Sequence, residues 1–300
     1  MVDLSNNYKI QGRFPVWLLD NNTELAQLSL RNNSFIGPFH LPSYSSFNIS
    51  SLDVSDNSFN GQLQEIGESM FPNIEFLNLS KNHFLGDFLF SPGDNFKMRS
   101  LDLSFNIVSG EAPEKMISSC TSLHIITLSH NNFYCEISHW MNNITNLDHV
   151  DLSHNSFRGE VSCEFFSAIY VDLSCNNFFG SLPSCFNQIP FDFRETSYIN
   201  LQGEIPFELG KLFQIHALNL SYNQLIGSIP ETFSNLTALE SIELSYNHLS
   251  GEIPYGLADL DYLGVFFVAH NNLSGGEKMQ SRFTEFITNA TCRTGRWKMV

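Results

Sequence analysis

One phrase returns along this chain every 24 residues or so, and any fold must give each copy the same surroundings. Aligned on LxxLxLxxNxLxGxIP, successive copies read LAQLSLRNNSFIGPF, ISSLDVSDNSFNGQL, IEFLNLSKNHFLGDF and MRSLDLSFNIVSGEAP. LHIITLSHNNFYCEI, LDHVDLSHNSFRGEV, VDLSCNNFFGSLP, IHALNLSYNQLIGSIP, LESIELSYNHLSGEIP and LGVFFVAHNNLSG follow, and VDLSNNYKIQGRFP opens the series as a clipped copy. Leading strand positions fall at Val2, Leu28, Leu52, Leu77, Leu101, Ile126, Val150, Val171, Leu218, Ile242 and Phe266. A unit this short cannot bury its apolar face alone, so the copies must stack.

Each position of the phrase has a physical meaning. Alternating LxL puts two apolar side chains on one face of a short strand and the intervening residues on the other. The Asn that follows (Asn33, Asn57, Asn82, Asn106, Asn131, Asn155, Asn176, Asn223, Asn247, Asn271) carries donors and an acceptor. Stacked, these amides are expected to satisfy buried turn backbone and one another as a ladder. Phe35, Phe59, Phe84, Phe133, Phe157 and Phe178 lie two residues later and are expected to fill the core. The GxIP segments are expected to form a second, minor row of strands.

Composition narrows the function. With 31 Asp and Glu against 15 Lys and Arg, the net charge is −16. A surface that acidic repels phosphate backbones, which argues against nucleic acid as a partner. There is no apolar run long enough to span a membrane and no leader pattern at the amino end. Glycine-loop, GxSxG, HExxH and P-loop patterns are also missing, so neither a cofactor nor catalysis is expected.

The phrase LNLSYNQLIGSIPETFSNLTALESIELSYNHLSGEIP resembles the plant-type leucine-rich repeats of cell-surface receptors. GRFPVWLLDNNTEL, SLPSCFNQI and VFFVAHNNLSG further resemble the ectodomains of kinase-less plant receptor-like proteins, over about residues 1–275. The resemblance implies an α/β right-handed leucine-rich-repeat solenoid of about 11–12 repeats with a parallel sheet on its concave face. It also implies a non-enzymatic receptor for a peptide, protein or glycan ligand, acting in defence or developmental signalling with co-receptor kinases. The parent protein would sit on the extracellular face of the plasma membrane, held by a segment this chain lacks. Capped ends, a leader and an anchor are typical of such receptors, and their absence favours a fragment, secreted or mislocalised if expressed alone. Residues 276–300 form a tail outside the repeat. A secreted polygalacturonase inhibitor of the same repeat type is the competing reading, and a truncated product without independent function is a third.

Equivalent positions of stacked strands form columns, and three face the ligand side. One runs through Asp53, Asp102, Asp151 and Asp172 and follows the LDLS phrase, so it is expected to be consensus sequence more than a ligand device. A second, just before the Asn, carries Lys81, Phe105, His130, His154, Cys175, Tyr222, Tyr246 and His270; a third carries Phe76, Ile125, His149 and Tyr170. The candidate ligand site is therefore Phe105, His130, His149, Asp151, His154, Tyr170, Asp172, Tyr222, Tyr246 and His270, since aromatic anchors dominate interfaces. An open sheet gives His149, Asp151, His154 and Asp172 no enclosed shell for a metal or for acid–base work. Histidines titrating near 6.5 would instead make binding sensitive to pH.

Among nine N-x-S/T sequons, Asn21, Asn48, Asn143 and Asn235 lie in segments approaching a strand and are the best glycosylation candidates. Cys163 and Cys185 share nearly the same repeat phase and could approach within disulfide range, although independent buried thiols are the preferred reading. Residues 188–206, QIPFDFRETSYINLQGEIP, break the phrase: Gly203, Ile205 and Pro206 keep phase, but Ile199 takes the ladder Asn position. The stretch is read as a degenerate repeat with a deleted island, and as the hinge of the solenoid.

Overall fold

A computed structural model describes residues 1–19, 22, 24–41, 48–63, 66–67, 70–91, 97–110, 120, 122–137, 146–163, 168–185 and 196–274. The tail and residues 186–195, which include the first part of the break, lie outside them. Two compact units divide the chain, Met1–Phe157 and Arg158–Val300. The break falls inside the second unit.

In the first unit the LxL segments form one parallel sheet of three-residue strands. Gln27–Ser29, Ser51–Asp53, Phe76–Asn78, Ser100–Asp102, Ile125–Thr127 and His149–Asp151 stack in register after the short Val2–Asp3. Leu28 faces Leu52, Leu52 faces Leu77, Leu77 faces Leu101, Leu101 faces Ile126 and Ile126 faces Val150. The middle side chain of each strand is buried and its two neighbours point outward, as the alternation of a strand dictates. In the second unit Ala217–Asn219, Ser241–Glu243 and Val265–Phe267 pair in the same way.

A second row of parallel strands exists, starting shortly after the ladder Asn and running into the Gly of the GxIP segments. It uses Ser34–Pro38, Ser58–Gln62, His83–Asp87 and Ile107–Gly110 in the first unit. The second unit has Arg158–Glu160, Asn177–Ser181 and Leu201–Gln202. Where the phrase ends in IP, the proline stops pairing because it has no N–H to give. Pro206, Pro230 and Pro254 are extended and lead into 3₁₀ turns Phe207–Lys211, Glu231–Asn235 and Tyr255–Asp259. These turns pack so closely that a Cβ on Gly210 would collide with Thr232, and one on Gly256 with Ser234.

The core is aromatic, as the phrase predicts. Phe59, Phe84, Phe133, Phe157 and Phe178 are fully buried. Phe35, Phe59 and Phe84 form a spine with centroids 5.8 and 6.3 Å apart and planes 6° from parallel. Phe133 and Phe157 continue the arrangement at 6.0 Å.

The Asn ladder is built, though its rungs join amide to backbone. Asn82 is typical: its Nδ2 reaches the carbonyls of Leu79 and Ser80 in its own turn and of Val54 one repeat earlier, at 3.0 to 3.2 Å. Its Oδ1 accepts the N–H of Phe59, also one repeat earlier, at 3.0 Å. Asn57, Asn131, Asn223 and Asn247 repeat the pattern. Buried polar backbone in a turn has few other partners, so each amide substitutes for the water that cannot enter.

Candidate functional site

The residue before each ladder Asn is in the left-handed backbone region. Asn6, Asn32, Asp56, Lys81, Phe105, His130, His154, Cys175, Tyr198, Tyr222, Tyr246 and His270 have φ between 51° and 60°. Asn and Asp accept this conformation readily, but bulky side chains adopt it at a cost. The sequence nevertheless places rings there over consecutive repeats. The turn holds them because the Asn amide ties its backbone, and each ring is thrust outward beside the ring of the next repeat.

Two stacks result. In the first unit Phe105 lies 4.1 Å from His130 and His130 4.0 Å from His154, with planes 16° and 13° from parallel. Lys81 places its ammonium 6.0 Å from the Phe105 centroid, a cation–π cap on the end of the stack. In the second unit Tyr198, Tyr222, Tyr246 and His270 stack at 3.9, 4.2 and 4.0 Å. Beside this second stack runs a shallow open groove of about 380 Å³ lined by Tyr198, Asn200, Tyr222, Asn223, Gln224 and Tyr246.

Six of the ten candidate residues thus enter a stack: Phe105, His130 and His154 in one unit, Tyr222, Tyr246 and His270 in the other. Tyr198 was missed, because Ile199 removes the Asn on which the alignment is keyed. Its phase, 24 residues before Tyr222, was the available signal. Buried Ile199 fills the ladder position, while Asn223 of the next repeat still reaches back to the Thr196 carbonyl at 2.9 Å. The described half of the break is therefore a repeat with its own amide lost.

The remaining candidates sit on the strands. His149 and Tyr170 are half-buried in the outward column. Asp151 Oδ1 accepts the Ser153 N–H at 3.0 Å and the Ser153 hydroxyl at 2.7 Å. Asp172 likewise accepts the Ser174 N–H at 2.9 Å, and Asp53, Asn78, Asp102 and Asn219 cap their own serines. This column folds the chain from strand into the left-handed turn, which gives the LDLS consensus its physical reason. Among the described residues no three His, Cys, Asp or Glu side chains converge as a metal site would require.

Electrostatics separates the two stacks. Burial, and then the charge of His154, hold His130 below the usual imidazole range against the pull of Asp151. Burial also lowers His149, opposed by Asp151 and Asp102. Hydrogen bonding along the tyrosine row, from Tyr198 first, raises the phenol of Tyr222, and Tyr222 in turn raises Tyr246.

Asn48 and Asn235 are exposed, Asn48 accepting a 3.0 Å bond from Asn73 and Asn235 closing a 3₁₀ turn; Asn21 and Asn143 lie outside the described residues. Cys163 and Cys185 are joined in a disulfide with Cα atoms 5.9 Å apart, in place of the independent thiols that were preferred. Cys163 is exposed and Cys185 half-buried, so the environment that would have kept them apart as core thiols is lacking.

Repeat, ladder and twin strand rows define a leucine-rich-repeat solenoid. A Leucine Rich Repeat family model matches residues 146–168, 214–236 and 238–260. Within that class, segments of the chain are similar to plant receptor-like proteins. It is 43% identical over 70 residues to Cuscuta receptor 1 of Solanum lycopersicum, covering 23% of this chain and 6% of that one. Against Receptor-like protein 13 of Arabidopsis thaliana the identity is 56% over 59 residues, 20% of this chain and 5% of the relative. The matched region thus spans less than a tenth of the length of these relatives. Solved structures extend the likeness over most of the chain. The plant peptide hormone receptor RGFR1, in complex with RGF2, superposes with a TM-score of 0.78 at 26% identity, covering 88% of this chain and 43% of that one. The Arabidopsis receptor kinase HAESA, in complex with the peptide hormone IDA and the co-receptor SERK1, gives 0.67 at 28%, covering 94% and 55%.

Proposed function

We propose that the chain is a ligand-recognising portion of a plant cell-surface receptor-like protein and is not an enzyme. The observation that carries this reading is the pair of exposed ring stacks, held in a backbone conformation that bulky residues adopt only at a cost. With the outward strand residues His149, Asp151, Tyr170 and Asp172 they offer rigid aromatic and polar anchors of the kind that dominate interfaces. An extended peptide is the favoured ligand, because structural neighbours are receptors in complex with peptide hormones. A kinase co-receptor would carry the signal, in defence or development, as the similar receptor kinase HAESA is found in complex with the co-receptor SERK1.

The Cys163–Cys185 bond supports an oxidising compartment, hence the extracellular face of the plasma membrane for the parent protein. Exposed Asn48 and Asn235 are the favoured glycan sites. No helix among the described residues is long and apolar enough to cross a membrane.

The test is binding of a panel of synthetic secreted-type peptides to the chain, to Tyr246→Ala and to His149→Ala. One peptide should bind with an affinity that falls about tenfold or more in a variant, as expected for an anchor residue. Peptide binding indifferent to every ring and strand substitution would remove the reading. Inhibition of a pectin-degrading enzyme would install the inhibitor in its place.

A further inference from the structure

The tyrosine row has a property that ligand recognition does not use. Tyr198, Tyr222 and Tyr246 lie face to face at 3.9 and 4.2 Å, with planes 12° and 13° from parallel. Ring carbons of adjacent phenols are therefore opposed across a distance near van der Waals contact. All three rings remain open to solvent, at 48%, 39% and 42% exposure. The same unit holds a disulfide, so it belongs where oxidants are present.

We propose that this row is a site of oxidative tyrosine cross-linking, joining Tyr222 to Tyr198 or to Tyr246. The oxidant is hydrogen peroxide acting through a haem peroxidase. Each of two neighbouring phenols gives up one electron and one proton, leaving two phenoxyl radicals. These couple through the carbons ortho to oxygen, forming one C–C bond. The hydrogen on each coupled carbon then shifts to its oxygen and restores two phenols. Peroxide accepts the two electrons and two protons and leaves as two waters, so the protein loses two hydrogens in all.

Stacking makes the coupling intramolecular, and a pre-aligned pair reacts ahead of molecules that must first meet. Tyr8 and Tyr262 are more exposed, at 70% and 68%, but stand outside the row. The product would matter where it forms. Ile199 leaves the degenerate repeat without its own amide tie, and a Tyr198–Tyr222 bond would fix that repeat to the following one.

The experiment treats the full chain, at low concentration, with limiting peroxide and a haem peroxidase. Dityrosine fluorescence, the mass of the monomer and peptide mapping with a glutamate-specific protease are the readouts. Glu204 and Glu208 separate Tyr198 from Tyr222, and Glu231, Glu240 and Glu243 separate Tyr222 from Tyr246, so each link gives its own joined peptide. A monomer lighter by two hydrogens with one of those peptides is expected. Tyr222→Phe keeps the ring and should lower the intramolecular yield about tenfold or more, since both aligned pairs are lost. Tyr198→Phe should leave only the Tyr222–Tyr246 peptide, and Tyr262→Phe should change nothing. Links confined to Tyr8 or Tyr262, links found only between molecules, or an undiminished yield in a folded Tyr222→Phe would each overturn the proposal.

Discussion

The two ring stacks occupy one backbone position and differ in chemistry. Phe105, His130 and His154 make a stack dominated by imidazoles, whereas the other carries three phenols, Tyr198, Tyr222 and Tyr246, and ends on the single imidazole of His270. What they share is the left-handed turn and, except at Tyr198 where Ile199 stands, the amide behind it. The backbone decides that a side chain will project there, and the residue chosen decides what the projection answers to. Geometry and response are thus set by separate positions of the phrase, which lets one vary without disturbing the other.

The sharpest way to break this comparison is to remove the shared support. Asn131→Ala, behind His130, and Asn247→Ala, behind Tyr246, should each destabilise their own unit by about 3 kcal/mol, because buried backbone groups lose their partners. Urea unfolding read by amide exchange in each unit checks it. A large loss in one unit alone would mean that the turns are not held by a common device.

A smaller effect is expected from the rings. His130→Asn leaves a residue suited to the left-handed region but removes two stacking contacts, and should cost about 1 kcal/mol. Tyr222→Asn should shift the second unit in the same direction. Stability unchanged by both would show the rings contributing nothing to cohesion and would leave them entirely to recognition.

The smallest difference is in pH. His130 and His149 have imidazoles depressed in the folded chain, so the unfolded chain binds more protons on acidification. Their contribution is complete above the ordinary value near 6.5 and is lost as pH falls through the lower, folded values. The first unit should therefore weaken modestly between pH 7 and pH 5. His130→Phe, which keeps a ring, should flatten that response, and histidine proton resonances followed by NMR give the direct reading.

Much of this was legible because the repeat fixes what each position must do. Leu77, Asn82 and Phe84 announce strand, rung and core by spacing alone, and all three do what the spacing implies. Tyr198 was hidden because its reference point, an Asn, is an Ile. The left-handed turn was hidden for a different reason: rings at Phe105 or Tyr222 are poor residues for it, so local preference points away from the conformation that long-range bonds impose. The disulfide needed to be seen, since sequence phase brings Cys163 and Cys185 together but does not reveal that they lie near the surface. The Asp column was legible as consensus, and only its bonds to Ser55, Ser104 and Ser153 explain why consensus exists.

The direction of the amide rungs has a consequence for how such a chain is made. Each Asn reaches toward the repeat before it, so a turn is completed only when the next turn arrives. During synthesis the newest coil is always provisional, and the one behind it is sealed as the chain advances. At Ile199 that seal is missing, and the coil before it is tied to its successor by backbone bonds, as where the Cys175 N–H reaches the Ser197 carbonyl at 3.0 Å.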